Sequence, residues 1–203
     1  MYKESGRKDL GDITPNALPK LIGCTACVAL VTRTEIYVAN AGDSRAVLCR
    51  SGKAIEMSED HKTDLERERK RIEKANGYID NDRVNGSINL TRCLGDLEYK
   101  LNKKLKQEDQ ILSAVPDVRI EKISSDTDFL IVACDGIWDC LTSQEAVDYF
   151  KPKIRPSKED KSFKISAMIE IMFDNILAKD TGPSEGIGCD NMSCLVIRFN
   201  CFK

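Results

Sequence analysis

An α+β fold, with antiparallel sheets flanked by helices, is the architecture this sequence predicts. Three features point to it: short strand-like runs outnumber helical ones, strands and helices do not alternate in the regular order of a parallel sheet, and no segment repeats. With 203 residues and 41% hydrophobic content the chain can bury a core of ordinary domain size.

Residues 1–20 are polar and turn-rich and form a lead-in to a domain expected over 21–203. TACVALV (Thr25–Val31), EIYVANA (Glu35–Ala41) and SRAVLCR (Ser44–Arg50) then read as strands separated by turn chemistry, with RSGK at Arg50–Lys53 closing a hairpin. Thr63–Gly77 is rich in helix formers, sets Glu66 four residues before Lys70 and stops at Gly77, so its charges are expected to form a solvated face. The middle is irregular, and LEYKLNKKLKQEDQ from Leu97 is a charged excursion expected to be a mobile surface segment before ILSAVPDVRIEKI resumes strand character. Phe129–Ala133 is apolar enough for a buried strand. Thr142 and Glu145 have capping-box spacing for a helix to about Phe150. A longer helix is expected over Ser162–Lys179, its stripe of Ile165, Met168, Ile169, Met172, Phe173 and Ile176 facing the core. Met192–Phe199 is the last strand.

The net charge of -2 gives no basic excess for nucleic acid, which is therefore not an expected partner. The start has no apolar signal-peptide core, and no run of about eighteen apolar residues occurs, so the expectation is a protein that is neither secreted nor membrane-spanning, cytoplasmic or nuclear. The nine cysteines are then reduced thiols. Cys24 and Cys27 form a C-x-x-C, but in a strand residues three apart point to opposite faces and no second such pair follows. Both are expected in the core rather than on zinc.

Aspartates at strand ends carry the chemical signal. Asp135 follows one strand and Asp190 precedes another, so antiparallel pairing of those strands would bring both carboxylates to one spot. Asp96, after a strand-like run and beside Gly95, is a third candidate. Gathered carboxylates repel unless they share protons or bind a cation, and hard oxygen donors favour Mg²⁺ or Mn²⁺ over zinc or copper. Asp43 has the same look in NAGDSRAVL, but is read as a structural turn residue with Arg45 as its partner.

The blocks GCTACVAL, YVANAGDSRAVL, EDHK, ERKRIEKANGYI, RVNGSINLTRCLGD, VPDV, FLIVACDGIWD and GCDNMSCLVI, in this order from about Leu21 to Phe199, resemble the metal-dependent (type 2C) protein serine/threonine phosphatase family. The resemblance implies a four-layer αββα sandwich, two antiparallel sheets flanked by helices, with a two-metal centre at one edge. It implies Asp135 and Asp190 as core-metal ligands, Asp96 as the ligand of a third, weaker metal with Asp139 contributing, Mn²⁺ or Mg²⁺ as cofactor, and a variable flap over about Leu97–Leu112. Phosphorylated proteins would be the substrates, with no nucleic acid or membrane partner. Cys24, Thr63 and Thr91 depart from the usual serine, proline and serine. The larger departure is that the family's early phosphate-gripping arginine, acidic stretch and Asp-Gly-His-Gly motif do not occur; the only histidine, His61, sits in EDHK and reads as structural. Two expectations follow: an N-terminally incomplete phosphatase domain, weak or inert alone, or a non-catalytic module that binds phosphoproteins. Either would expose apolar surface and tend to self-associate.

Overall fold

The computed structural model describes residues 22–154 and 164–199; the expected lead-in and the start of the helix predicted from Ser162 lie outside them. In chain order the elements are β1 (Gly23–Cys24), β2 (Ala26–Val31), β3 (Glu35–Ala41), β4 (Arg45–Arg50), β5 (Lys53–Glu56), α1 (Glu66–Lys74), β6 (Ile79–Asp80), β7 (Arg83–Val84), β8 (Leu94–Gly95), β9 (Asp117–Lys122), β10 (Thr127–Ala133), α2 (Asp135–Trp138), α3 (Ser143–Ile154), α4 (Ile165–Ile176) and β11 (Cys194–Arg198). They fall into two compact units, one of Thr25–Lys62 with the chain from Pro116 onward, the other of Thr63–Val115 with the strand before Thr25.

In the first unit two antiparallel sheets stack, one of order β11-β10-β4-β5 and one of order β2-β3-β9. β4 and β10 are central, which is why RAVLCR and TDFLIVA are nearly continuously apolar rather than alternating. Ala46, Leu48 and Leu130 meet Ile36 and Val38 of the facing sheet. Val47, Cys49, Phe129, Ile131 and Ala133 face the other way, onto Val147 and Phe150 of α3 and Met168 and Met172 of α4. Each fully buried Leu, Ile or Phe contributes about 1.5–3 kcal/mol. The helical stripe is core as expected: Met168 and Met172 are buried, and Ile169, Phe173 and Ile176 pack against the same cluster.

α3 begins with the expected capping box, Glu145 N donating to Thr142 Oγ1 at 3.2 Å and Thr142 N to the Glu145 carboxylate at 2.8 Å. It runs to Ile154 rather than stopping near Phe150. Pro152 removes a backbone bond there, but burial of Phe150 and Ile154 holds the last turn. The hairpin between β4 and β5 is as expected, with Ser51 and Gly52 in left-handed conformations.

In the second unit α1 starts at Glu66, β1 pairs with β8 and β6 with β7, around Ile72, Val84, Cys93, Tyr99 and Leu112. The charges of α1 are not all solvated. Glu68 is 1% exposed because Thr91 Oγ1 donates to it at 2.8 Å, Arg92 Nη2 at 2.6 Å, and Arg71 closes the network. Burial would raise the Glu68 pKa; the Arg92 hydrogen bonds, the Arg71 charge and the Thr91 hydroxyl outweigh it and hold it at about 2. The expected flap, Leu97–Leu112, contains two 3₁₀ turns and is fastened by the Gln110 side chain, which donates to Asn102 O at 2.8 Å and Leu105 O at 3.1 Å.

Candidate metal centre

β10 and β11 are antiparallel neighbours, with Ala133 opposite Cys194 and the pairing extended by Cys134 N donating to Ser193 O at 3.1 Å. Asp135 therefore leaves β10 where the chain from Asp190 enters β11. The α2 turn is locked to the end of β10 by the buried indole of Trp138, whose Nε1 donates to Ala133 O at 2.8 Å. Gly136 lets this turn lie directly on the Asp190–Asn191 backbone: a Cβ there would overlap Asn191 O and stand 3.6 Å from Asp190 Cβ. Each carboxylate caps the next residue, Gly136 N donating to Asp135 Oδ1 at 3.0 Å and Asn191 N to Asp190 Oδ1 at 2.7 Å. Asp139 is exposed one helical turn on, its N–H bonded to Asp135 O at 2.8 Å.

These charges act on one another. Burial first, then the Asp43 and Asp190 carboxylates, push the Asp135 pKa up; Lys62 opposes this and Asp139 adds to it. Asp43, read from the sequence as a structural turn residue, is the carboxylate that acts most strongly on Asp135. It is 3% exposed and accepts a 2.6 Å bond from Lys62 Nζ, where Arg45 was the expected partner. The reason is local: Asp43 lies in the turn after β3, where strand alternation does not fix a side chain's direction, and His61 N bonds Gly42 O at 3.0 Å, bringing Lys62 alongside. The available signal was the Gly-Asp pair after a strand, as at Gly95-Asp96. Burial opposes the charge on Lys62, but Asp43, Asp139 and Asp135 together raise its pKa.

Arg45 instead grips Asp60 through Nε at 2.9 Å and Nη2 at 2.8 Å, donates to Ser143 Oγ at 3.1 Å, and stacks 5.2 Å above the Trp138 ring. His61 is fully buried: Nδ1 accepts from Gly42 N at 3.1 Å, which leaves Nε2 to donate to Asp117 at 3.1 Å. Both residues brace the turns that carry Asp43 and Asp135.

Asp96 belongs to the second unit. Its backbone is left-handed, its N–H bonds Ile22 O at 2.9 Å, and its Oδ2 accepts from Cys93 Sγ at 3.2 Å. Burial, then the Asp96 bond, push the Cys93 thiol up to about 12, so it stays a donor. The C-x-x-C departs from expectation: Cys27 is half-buried, its thiol pushed up to about 11 chiefly by burial, but Cys24 is exposed because two-residue β1 ends there.

In the first unit the charges of Asp43, Asp190 and Asp139 thus all act on Asp135. Among the described residues, no three Asp, Glu, His or Cys side chains close round one point.

The family model described as Protein phosphatase 2C matches residues 3–169. A rice relative (Oryza sativa subsp. japonica), "Probable protein phosphatase 2C 11", is 49% identical over 177 residues, 87% of this chain and 47% of its own. The human "Protein phosphatase 1G" is 46% identical over 183 residues, 89% of this chain and 33% of its own. A crystal structure of a Toxoplasma gondii phosphatase superposes with a TM-score of 0.68 at 29% identity, covering 81% of this chain and 48% of that one. The chain spans about half the length or less of several curated relatives that it matches. With these matches and the two-sheet sandwich, the chain belongs to the protein phosphatase 2C family of metal-dependent protein phosphatases.

Proposed function

We propose that this chain carries part of the active centre of a protein phosphatase that hydrolyses phosphoserine and phosphothreonine in proteins with Mg²⁺ or Mn²⁺. One observation carries the reading: the β10–β11 register sets Asp135 beside Asp190, with Asp43 and Asp139 near enough to push the Asp135 pKa up. Asp135 and Asp190 would hold the core cations, and the family motifs assign a third, weaker one to Asp96 with a contribution from Asp139. When bound, the cation supplies Lewis acidity that acidifies water and offsets phosphoryl charge. The protein's own part is positional. Trp138 and Gly136 fix Asp135 against Asp190, and the Lys62–Asp43 pair places one cation beside the acidic cluster, where it lessens repulsion.

Hydrolysis of a phosphothreonine peptide with and without millimolar Mn²⁺ tests this, with Asp135→Asn as control. From a chain that carries only part of the centre, weak Mn²⁺-dependent turnover that is lost in the variant is the expected outcome; turnover that survives the substitution sinks the assignment. A second reading, a non-catalytic phosphoprotein-binding module, is favoured by the lack of any three-ligand cluster among the described residues. It predicts phosphopeptide binding without turnover above the control.

A further inference from the structure

We propose that Lys62 is a substrate-contacting residue, its ammonium anchored on Asp43 and donating to the phosphoryl oxygens of a phosphate monoester bound beside Asp135. The role presupposes the phosphoprotein reading above, in either its catalytic or its binding form.

Strand register puts the pair at the centre. β4 and β10 are antiparallel, with Ala46 opposite Val132 and Arg45 opposite Ala133, and the same register carried two residues past the ladder brings Asp43 level with Asp135. Asp43 is buried, so its carboxylate is a fixed anchor, and Lys62 Nζ reaches it at 2.6 Å while 31% of the lysine side chain stays exposed. The lysine is held at its other end too. His61 N bonds Gly42 O at 3.0 Å, and Lys62 N bonds Asp60 O at 3.0 Å, so the backbone on which the side chain stands is pinned on both sides of the Asp43 turn.

An ammonium has three hydrogens, and the bond to Asp43 uses one. Among the described residues Asp43 is the one hydrogen-bond acceptor that Lys62 Nζ meets, which leaves two donors for a ligand. Arg45, also beside Asp139, has no such freedom: Asp60 takes its Nε and Nη2, Ser143 Oγ takes its Nη1, and its plane lies over the Trp138 ring. Burial works against the charge on Lys62, but the Asp43 bond and the carboxylates of Asp43, Asp139 and Asp135 raise its pKa, so it stays protonated at neutral pH. A lysine binds phosphate as a compact point charge. A phosphoryl dianion beside these aspartates is repelled by them, and Lys62 offers it the chain's own donor, set in place before the ligand arrives.

The test titrates the Mg²⁺-loaded full chain with inorganic phosphate, followed by phosphorus NMR, in native protein, Lys62→Met, Lys62→Arg and the double variant Asp43→Asn with Lys62→Met, which leaves no orphaned buried carboxylate. Native protein and Lys62→Arg should bind phosphate, and both methionine variants should bind it about ten- to a hundredfold more weakly, the loss of one charged hydrogen bond. Metal should respond in the opposite sense. Removing a cation beside carboxylates strengthens their hold on Mg²⁺, so the Mg²⁺-induced rise in melting temperature should be as large or larger in Lys62→Met, a split that a merely loosened fold does not give. Phosphate bound equally by native protein and both methionine variants overturns the role of Lys62 and leaves the proposed function standing. Phosphate affinity and metal response lost together in Lys62→Met make it a structural support and overturn the role as well. Native protein that takes up no phosphate overturns both the role and the reading on which it rests.

Discussion

Asp135 is subject to opposing demands. Its pKa is raised above the ordinary 3.8 by burial and by Asp43 and Asp190, so the folded chain binds its proton more tightly than the unfolded one. Its contribution to stability is present below the unfolded value and is lost as pH rises through the folded pKa. Without metal, Asp135→Asn should therefore melt higher than the native protein at pH 7, by a margin that shrinks toward pH 4. Mn²⁺ should raise the melting temperature of the native protein only. Equal pH dependence of the two proteins would remove the repulsion account. Glu68 has the opposite sign: held at about 2 against an ordinary 4.5, its contribution is present above 4.5 and lost as pH falls toward 2. Glu68→Gln leaves Arg71 and Arg92 buried without their counter-charge and should cost about 3–5 kcal/mol in urea unfolding near neutral pH, with a smaller deficit near pH 2.5. The repulsion between Asp135 and Asp190 was legible in the sequence; the parts of Glu68 and Asp43 were not. The sequence assigned Glu68 to a solvated face and paired Asp43 with Arg45, whereas Glu68 is buried and Asp43 meets Lys62, because what each carboxylate meets comes from residues distant in the chain.

Among the elements, the α2 turn depends on a close approach. Gly136→Ala must push Asn191 away from the turn, at a cost of about 1–3 kcal/mol. It should also part Asp135 from Asp190, so the Mn²⁺-induced rise in melting temperature should fall well below the native value. A variant that keeps the full rise would show that this contact does not set the site. Element type and order were legible for β3, β10, α3 and α4, where alternation, apolar runs, a capping box and a 3.6-residue stripe agree. Ends were less so: α1 stops at Lys74, and Asn76 rather than the expected Gly77 takes the left-handed position after it, with Gly77 N donating to Ile72 O at 2.9 Å.

At the scale of the molecule, the outer face of the β2-β3-β9 sheet is apolar. Val28 and Val118 flank Ala39 in one cross-strand row, and Leu30 and Ile120 flank Tyr37 in the next. These four outer side chains are 51–62% exposed. A face of this kind favours association with a second copy, and light scattering should show concentration-dependent oligomers that Leu30→Lys together with Val118→Lys disperses. A monomer at all concentrations would overturn that expectation. The sequence by itself determined the α+β class, the collinear blocks of the family and the placing of Asp135 and Asp190 at strand ends, since periodicity, turn residues and motif order are local properties of the chain. Only the tertiary structure decided that β10 lies beside β11, that Asp43 and Lys62 join the acidic cluster, that Arg45 holds Asp60 and that Glu68 is buried. Strand pairing and charge partners are set by long-range packing, and spacing along a chain cannot specify them.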